Sequence, residues 1–437
     1  MQTSTKKHLS ATVAYLLAGL LIVSACLAVT GWALPEWAGG QWWTKTTVSL
    51  LHGVLLGFLL TVAYGVLYQV VPIAFQAPPM PRHVLYWHLP LHLAATAGLL
   101  LGFVAHLMWL TTLGGLGVLA ALLAFLHFLY HRSYTHARNR TPVYRMLVIP
   151  MLGLVLTFLF GLDQAARPAG VDGHLVLTHA VLGGLVFWGG LVMVISYKFV
   201  PMFALSHGYR ASLPRTAAFY FAGCGLLAAI QFAQHLQPTL SVSGASWLRC
   251  VDALSAAATL VGLGLFSLDM QRIVASRKRR RMVFPLRVAL AALCVMLVSE
   301  ALLAICAAVP DLRLLVVTAY LFLFAGLVPL VFAYTQKIVP FLWFEYRFSK
   351  RPERKSAPLI DDMVPPRLAC AALTLYALGT LLGCLLICGL VPIAWQQAGA
   401  CVSAALTTAG ALILFTALCH VLTIGGQRPA EESSGGH

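Results

Sequence analysis

Fifteen histidines stand in a chain of 437 residues of which only 10% are charged. Imidazole carries protons near neutral pH and is a common ligand for haem iron, copper and zinc. The stretch from His52 to Pro72 is nearly as long as the stretch from His179 to Pro201. In helices that end alike at those prolines, the two imidazoles differ in depth by about 3 Å. Two imidazoles at nearly one level on separate helices are spaced to share a cofactor. His106 belongs to the same level, and His174 lies about one turn beyond His179. A second group comprises His88 and His92, and His127 and His131, each pair with the i,i+4 spacing that shares a helix face. With a tight turn marked by Gly114-Gly115, an antiparallel hairpin sets His88 level with His131 and His92 level with His127. Four converging imidazoles suffice for copper or zinc. The plainer reading of each histidine is a hydrogen bond to a neighbouring carbonyl. His420 reads as structural, and His8, His83, His136, His207, His235 and His437 as loop or terminal residues.

Other chemistry is sparse. Glu300, Asp252 and Asp269 fall within apolar stretches, but three scattered acids do not define a proton path. No Ser-His-Asp, HExxH, phosphate-loop or dinucleotide pattern occurs in a fitting context. The ten cysteines lack ribbon-like pairs and read as small core residues.

The elements that must position these histidines are membrane helices. Hydrophobic residues make up 60% of the chain, and mean hydropathy is +0.86. An ordinary soluble domain is about half apolar and a quarter charged, which excludes soluble enzymes, nucleic-acid binders and disordered scaffolds. Twelve apolar stretches are expected near 9–34, 46–72, 86–111, 113–131, 144–162, 174–201, 215–234, 246–270, 285–308, 312–340, 366–391 and 399–423. With both termini cytoplasmic, 25 of the 29 Lys and Arg fall on the cytoplasmic side, as the positive-inside rule requires. The run Arg277-Lys278-Arg279-Arg280-Arg281 is then a topology anchor that can touch anionic lipid, and the net charge of +16 does not signal nucleic acid. The first stretch fits a retained helix better than a cleaved signal peptide. The expected location is the cytoplasmic membrane of a bacterial-type cell.

Three stretches close alike: Tyr68-Gln69-Val70-Val71-Pro72, Tyr197-Lys198-Phe199-Val200-Pro201 and Gln336-Lys337-Ile338-Val339-Pro340. Each proline follows the last by four spans, which is the mark of an internal repeat. The fold expected is an all-α polytopic membrane protein with three four-helix units in a pseudo-threefold ring. One domain covers 1–423, with units near 1–140, 141–281 and 282–423, and a disordered tail covers 424–437.

Twelve spans in three units, with His52-Gly53-Val54-Leu55-Leu56-Gly57-Phe58 ahead of Tyr68-Gln69-Val70-Val71-Pro72, resemble subunit I of the haem-copper oxidases and nitric oxide reductases. The architectural likeness covers nearly the whole chain; the motif runs only from His52 to Pro72. The resemblance implies that His52 is an axial ligand of a low-spin haem b and that His179 matches the span-six histidine that binds copper in the oxidases. His179 and His106 are the candidates for a second axial ligand. The tenth span has Tyr320 at the level of His52 and no histidine, and the seventh has only His235. A working oxygen-reducing centre is therefore not expected. The function this implies is electron transfer, or sensing or handling of nitric oxide or oxygen, beside an electron-donor protein or a respiratory or denitrification complex. Any enzymatic role would be that of an oxidoreductase. Two other readings are a copper, metal or haem transporter with a histidine ladder, and a cofactor-free scaffold of a respiratory complex.

Overall fold

A computed structural model describes residues 4–167, 172–237, 246–278, 281–308, 311–348 and 358–425. The tail from 426 onward and residues 279–280 of the basic run lie outside that range. The described chain is helical, without a strand. Twelve helices are long and apolar enough to cross a membrane: Ala11–Ala38, Lys45–Ala74, Arg82–Ala105, Met108–Tyr134, Pro142–Ala166, Gly173–Ala204, Leu213–Leu236, Trp247–Ala275, Phe284–Cys306, Leu312–Arg347, Pro366–Ile387 and Ile393–Val421, here called spans one to twelve. The chain is a multi-pass membrane protein.

Packing repeats three times. Spans one and two, five and six, and nine and ten pair within their units. Spans three and four, seven and eight, and eleven and twelve form antiparallel hairpins. Span four packs on span five, span eight on span nine, and span twelve returns to span one, which closes the ring. Trp109, Trp247 and Trp395 stand exposed at the first turns of spans four, eight and twelve, where an indole sits at the membrane surface. Spans two and six are the most enclosed. Spans two, six and ten meet around the middle, where Phe58 lies 5.7 Å from Phe332 and Phe199 lies 5.3 Å from Tyr334, ring to ring.

The three central spans share a fine structure that the sequence did not announce. Each begins at a capping side chain on the face opposite the prolines. Thr44 accepts the N–H of Thr47 at 3.1 Å, Asp172 that of Leu175 at 2.9 Å, and Asp311 that of Leu314 at 2.8 Å. Each then widens into a π-helical stretch: Gly53–Leu60, Leu182–Gly189 and Leu321–Leu327. The interval from Gly53 to Pro72 recurs unchanged from Leu182 to Pro201 and from Leu321 to Pro340. A π turn swings its carbonyls away from the regular ladder. At one further fixed interval from the prolines, the carbonyls of Leu56, Leu185 and Phe324 each accept a side chain from the next span. The donors are His92 Nε2 at 3.0 Å, Tyr220 Oη at 2.8 Å and Tyr376 Oη at 2.7 Å.

The hairpin of spans three and four differs from expectation in register. Its turn falls at His106-Leu107, with His106 left-handed at φ 54°, and Gly114 lies inside span four. There a side chain would collide with the Leu99 backbone, 2.3 Å from the position of its Cβ, so Gly114 sets helix contact and not the turn. The cysteines also differ: Cys224 and Cys306 are buried, but Cys250, Cys294, Cys370 and Cys401 lie on exposed helix faces. In lipid an outward face is as apolar as a core, so apolar neighbours do not mark the inside.

Removing a donor to a swung-out carbonyl leaves it unpaired in hydrocarbon. Tyr376→Phe is expected to destabilise the detergent-solubilised protein by about 1 kcal/mol, read as a lower midpoint of thermal unfolding. A neighbouring exposed change such as Leu378→Ala is the control, with little effect expected.

Candidate functional site

The cap of span two at Thr44 and that of span six at Asp172 start the two helices at one level. His52 and His179 follow their caps at nearly equal intervals, roughly 11 Å deeper. Their rings face each other across the first and second units, with centroids 6.1 Å apart and planes 24° from parallel. Both residues are half-buried. The Nδ1 of His52 lies 2.8 Å from the Val48 carbonyl, one turn back on its own helix. The Nδ1 of His179 lies 2.8 Å from the Thr157 carbonyl on span five. A carbonyl only accepts, so each Nδ1 carries the proton and each Nε2 keeps its lone pair. Neither Nε2 meets a hydrogen-bond donor among the described residues.

The surroundings hold these rings in place. Phe103 of span three packs on His52 with centroids 5.0 Å apart. On span five, a side chain at Gly161 would bring its Cβ to 2.8 Å from His179 Cε1, so only glycine leaves the ring its position. Cys26 of span one fills the space beside Gly53, next to His52. Gly161, Phe103 and Thr157 carry no signal in the sequence, because a glycine in an apolar stretch means nothing until its neighbour is known.

Above His179, on the surface opposite the prolines, Asp172 accepts from His235 at 3.0 Å, and Arg167 pairs with Asp163 at 2.7 Å. Gln164 accepts the Asp172 N–H, and His174 lies 3.2 Å from Gln231. The Leu175 N–H, aided by His235, holds the Asp172 carboxyl below its ordinary value of 3.8. His235 therefore belongs to the surface cap of span six.

His106 does not join the pair. It is exposed in the turn after span three. The four-histidine group also fails to converge. Moving the hairpin centre by three positions moves every cross-hairpin partner by six, so His88 meets Ala121 and Phe125 and not His131. His88 Nε2 donates to the Ala121 carbonyl at 3.0 Å, and its Nδ1 accepts from Tyr15 Oη at 2.8 Å. His92 caps Leu56. His127 and His131, with ring centroids 4.5 Å apart, are exposed on the outside of span four. Among the described residues no three His, Cys, Asp or Glu side chains are arranged to hold a metal ion.

The acids take separate places. Asp269 accepts from Tyr197 Oη at 2.8 Å and from the Ser212 N–H at 2.9 Å, tying the loop after span six to span eight. Glu300 is buried beside Tyr220 and Gly189. Neither a family model nor a curated protein sequence matches the chain.

The cap of span six carries a pH dependence. Because the folded carboxyl of Asp172 titrates below its unfolded value, its contribution is present above pH 3.8 and is lost as pH falls through the folded value. Asp172→Ala should lower stability by about 1 kcal/mol at neutral pH. In thermal unfolding followed against pH, the gap between variant and parent should narrow below pH 3.8.

Proposed function

We propose that this chain binds one haem b between His52 and His179 and passes electrons through it. The observation that carries this reading is the ring pair, 6.1 Å apart, with both Nδ1 protons given to carbonyls and both Nε2 lone pairs unused. Two imidazoles held this close, each with an unused Nε2, are placed to serve one metal ion. A second-shell carbonyl on Nδ1 is also the usual partner of a metal-bound histidine, since it fixes the tautomer and the ring orientation. The donor chemistry of the two imidazoles fits a haem iron.

When bound, haem b supplies a one-electron couple. The protein's own part would be to hold the group with His52 and His179, to fix the ring planes through Val48, Thr157 and Gly161, and to limit water with Phe103. With His52 and His179 both engaged, the group would serve electron transfer in preference to gas binding. The likeness of span two to haem-copper oxidase subunit I points the same way, while Tyr320 on span ten and the Asp172-bound His235 on span seven leave no second ligand set. In this reading the chain lies in a bacterial-type cytoplasmic membrane with both termini cytoplasmic, beside an electron-donor protein or a respiratory complex. The distribution of Lys and Arg supports that orientation.

A reduced-minus-oxidised spectrum with pyridine haemochrome quantification tests this on the purified protein. The expected result is about one haem per chain, lost in His52→Ala and in His179→Ala. Gly161→Leu should also lose most of the haem, by displacing the His179 ring, while His106→Ala keeps it. Carbon monoxide should leave the parent spectrum unchanged. A carbon monoxide shift at full haem content would overturn the two-histidine assignment. Haem-free protein from cells with ample haem supply would sink the reading and leave the transporter and the scaffold.

A further inference from the structure

We propose that the first unit holds a cluster of bound water between spans one, two and three, between the levels of His52 and Pro72. Five polar atoms there have no hydrogen-bond partner among the described residues: Thr12 Oγ1, Tyr64 Oη, Tyr68 Oη, His92 Nδ1 and Thr96 Oγ1. None of these residues is more than 3% exposed. Isolated, each would be an anomaly, since buried polar groups are almost always paired. Gathered together they mark a site.

The rings gather three of the five, and Thr12 and Thr96 flank them beside Gly65 and Gly57 of span two. Tyr64 lies edge-on to His88 at 4.8 Å and to His92 at 5.1 Å, and Tyr68 lies 5.5 Å from His88 and 6.0 Å from Tyr15, centroid to centroid. The set mixes types. His92 gives its Nε2 proton to Leu56, so its Nδ1 can only accept, whereas the two phenols and two threonine hydroxyls can donate as well as accept. A ligand that serves all of them must donate and accept in several directions at short range, which is the chemistry of water. An anion would face the His92 lone pair, and a cation would find no negative partner.

The other two units lack this site. At the matching position before each proline, where the first unit has Tyr64, the second has Met193 and the third has Phe332. Where the first unit has His92, with a second nitrogen to spare, the others have Tyr220 and Tyr376, whose single hydroxyl is given to the carbonyl. The combination of Tyr64 with His92 is thus particular to one copy of a repeated frame. The polar lining runs from Tyr68, one turn from Pro72, to the Leu56 level, one turn from His52.

Fast hydroxyl-radical footprinting of the intact detergent-solubilised protein, mixed with oxygen-18 water and read by mass spectrometry, tests this. Radicals made from bound water label the side chains that touch it. Tyr64 and Tyr68 should be labelled at a rate near that of exposed Tyr130, and Tyr376, equally buried but bonded to Phe324, should stay unlabelled. Protection of Tyr64 and Tyr68 as complete as that of Tyr376 would overturn the proposal. His92→Tyr, which installs the residue that the other units use, should fold, keep the Leu56 contact and reduce Tyr64 labelling several-fold. Unchanged Tyr64 labelling in a folded His92→Tyr would remove His92 from the site.

Discussion

In hydrocarbon, a backbone carbonyl that leaves its helical ladder must find a donor inside the protein. That constraint organises this molecule. The carbonyls of Leu56, Leu185 and Phe324 each lie in a π turn, and each is met by a side chain from the following span. The contact ties the innermost helix of each unit to the hairpin that flanks it. It also fixes rotation and depth, because a donor on a rigid helix reaches one carbonyl and not the next. His52 sits immediately ahead of one π turn, and His179 just ahead of another, so the wide turns help to set the faces on which the two imidazoles emerge.

The same frame serves three different contents. Caps, π turns and terminal prolines recur at matching intervals, while the side chains they carry diverge. The first two units contribute one imidazole each to the pair. At the level of His52, the third carries Tyr320, whose hydroxyl reaches the Thr380 carbonyl at 3.1 Å. The seam between the first and second units is thereby chemically distinct from the other two.

Much of the architecture was legible in the chain, because lipid imposes long apolar runs and charge asymmetry that are hard to misread. The depth match of His52 and His179 was legible for the same reason: a fixed rise per residue from a shared proline needs no side-chain detail. The four-histidine cluster failed on a smaller quantity. Gly114-Gly115 drew the expected turn too far along the chain, away from His106-Leu107, and an antiparallel hairpin doubles any error in its centre. Glycine reads as a breaker, whereas at Gly114 it is a point of close helix approach. The π turns left no mark in composition. Only the pairing of His92 with Tyr220 and Tyr376, visible once the carbonyls are known, shows that this histidine does the work of a phenol.

A ring of three like units invites the idea of a pore along its axis. The aromatic contacts at the meeting of spans two, six and ten oppose it. Phe58 and Phe332 are buried against each other, and Phe199 is closed over by Tyr334. At those levels the axis is filled with carbon. At those two levels a solute would have to pass through one of the units or along a seam between them.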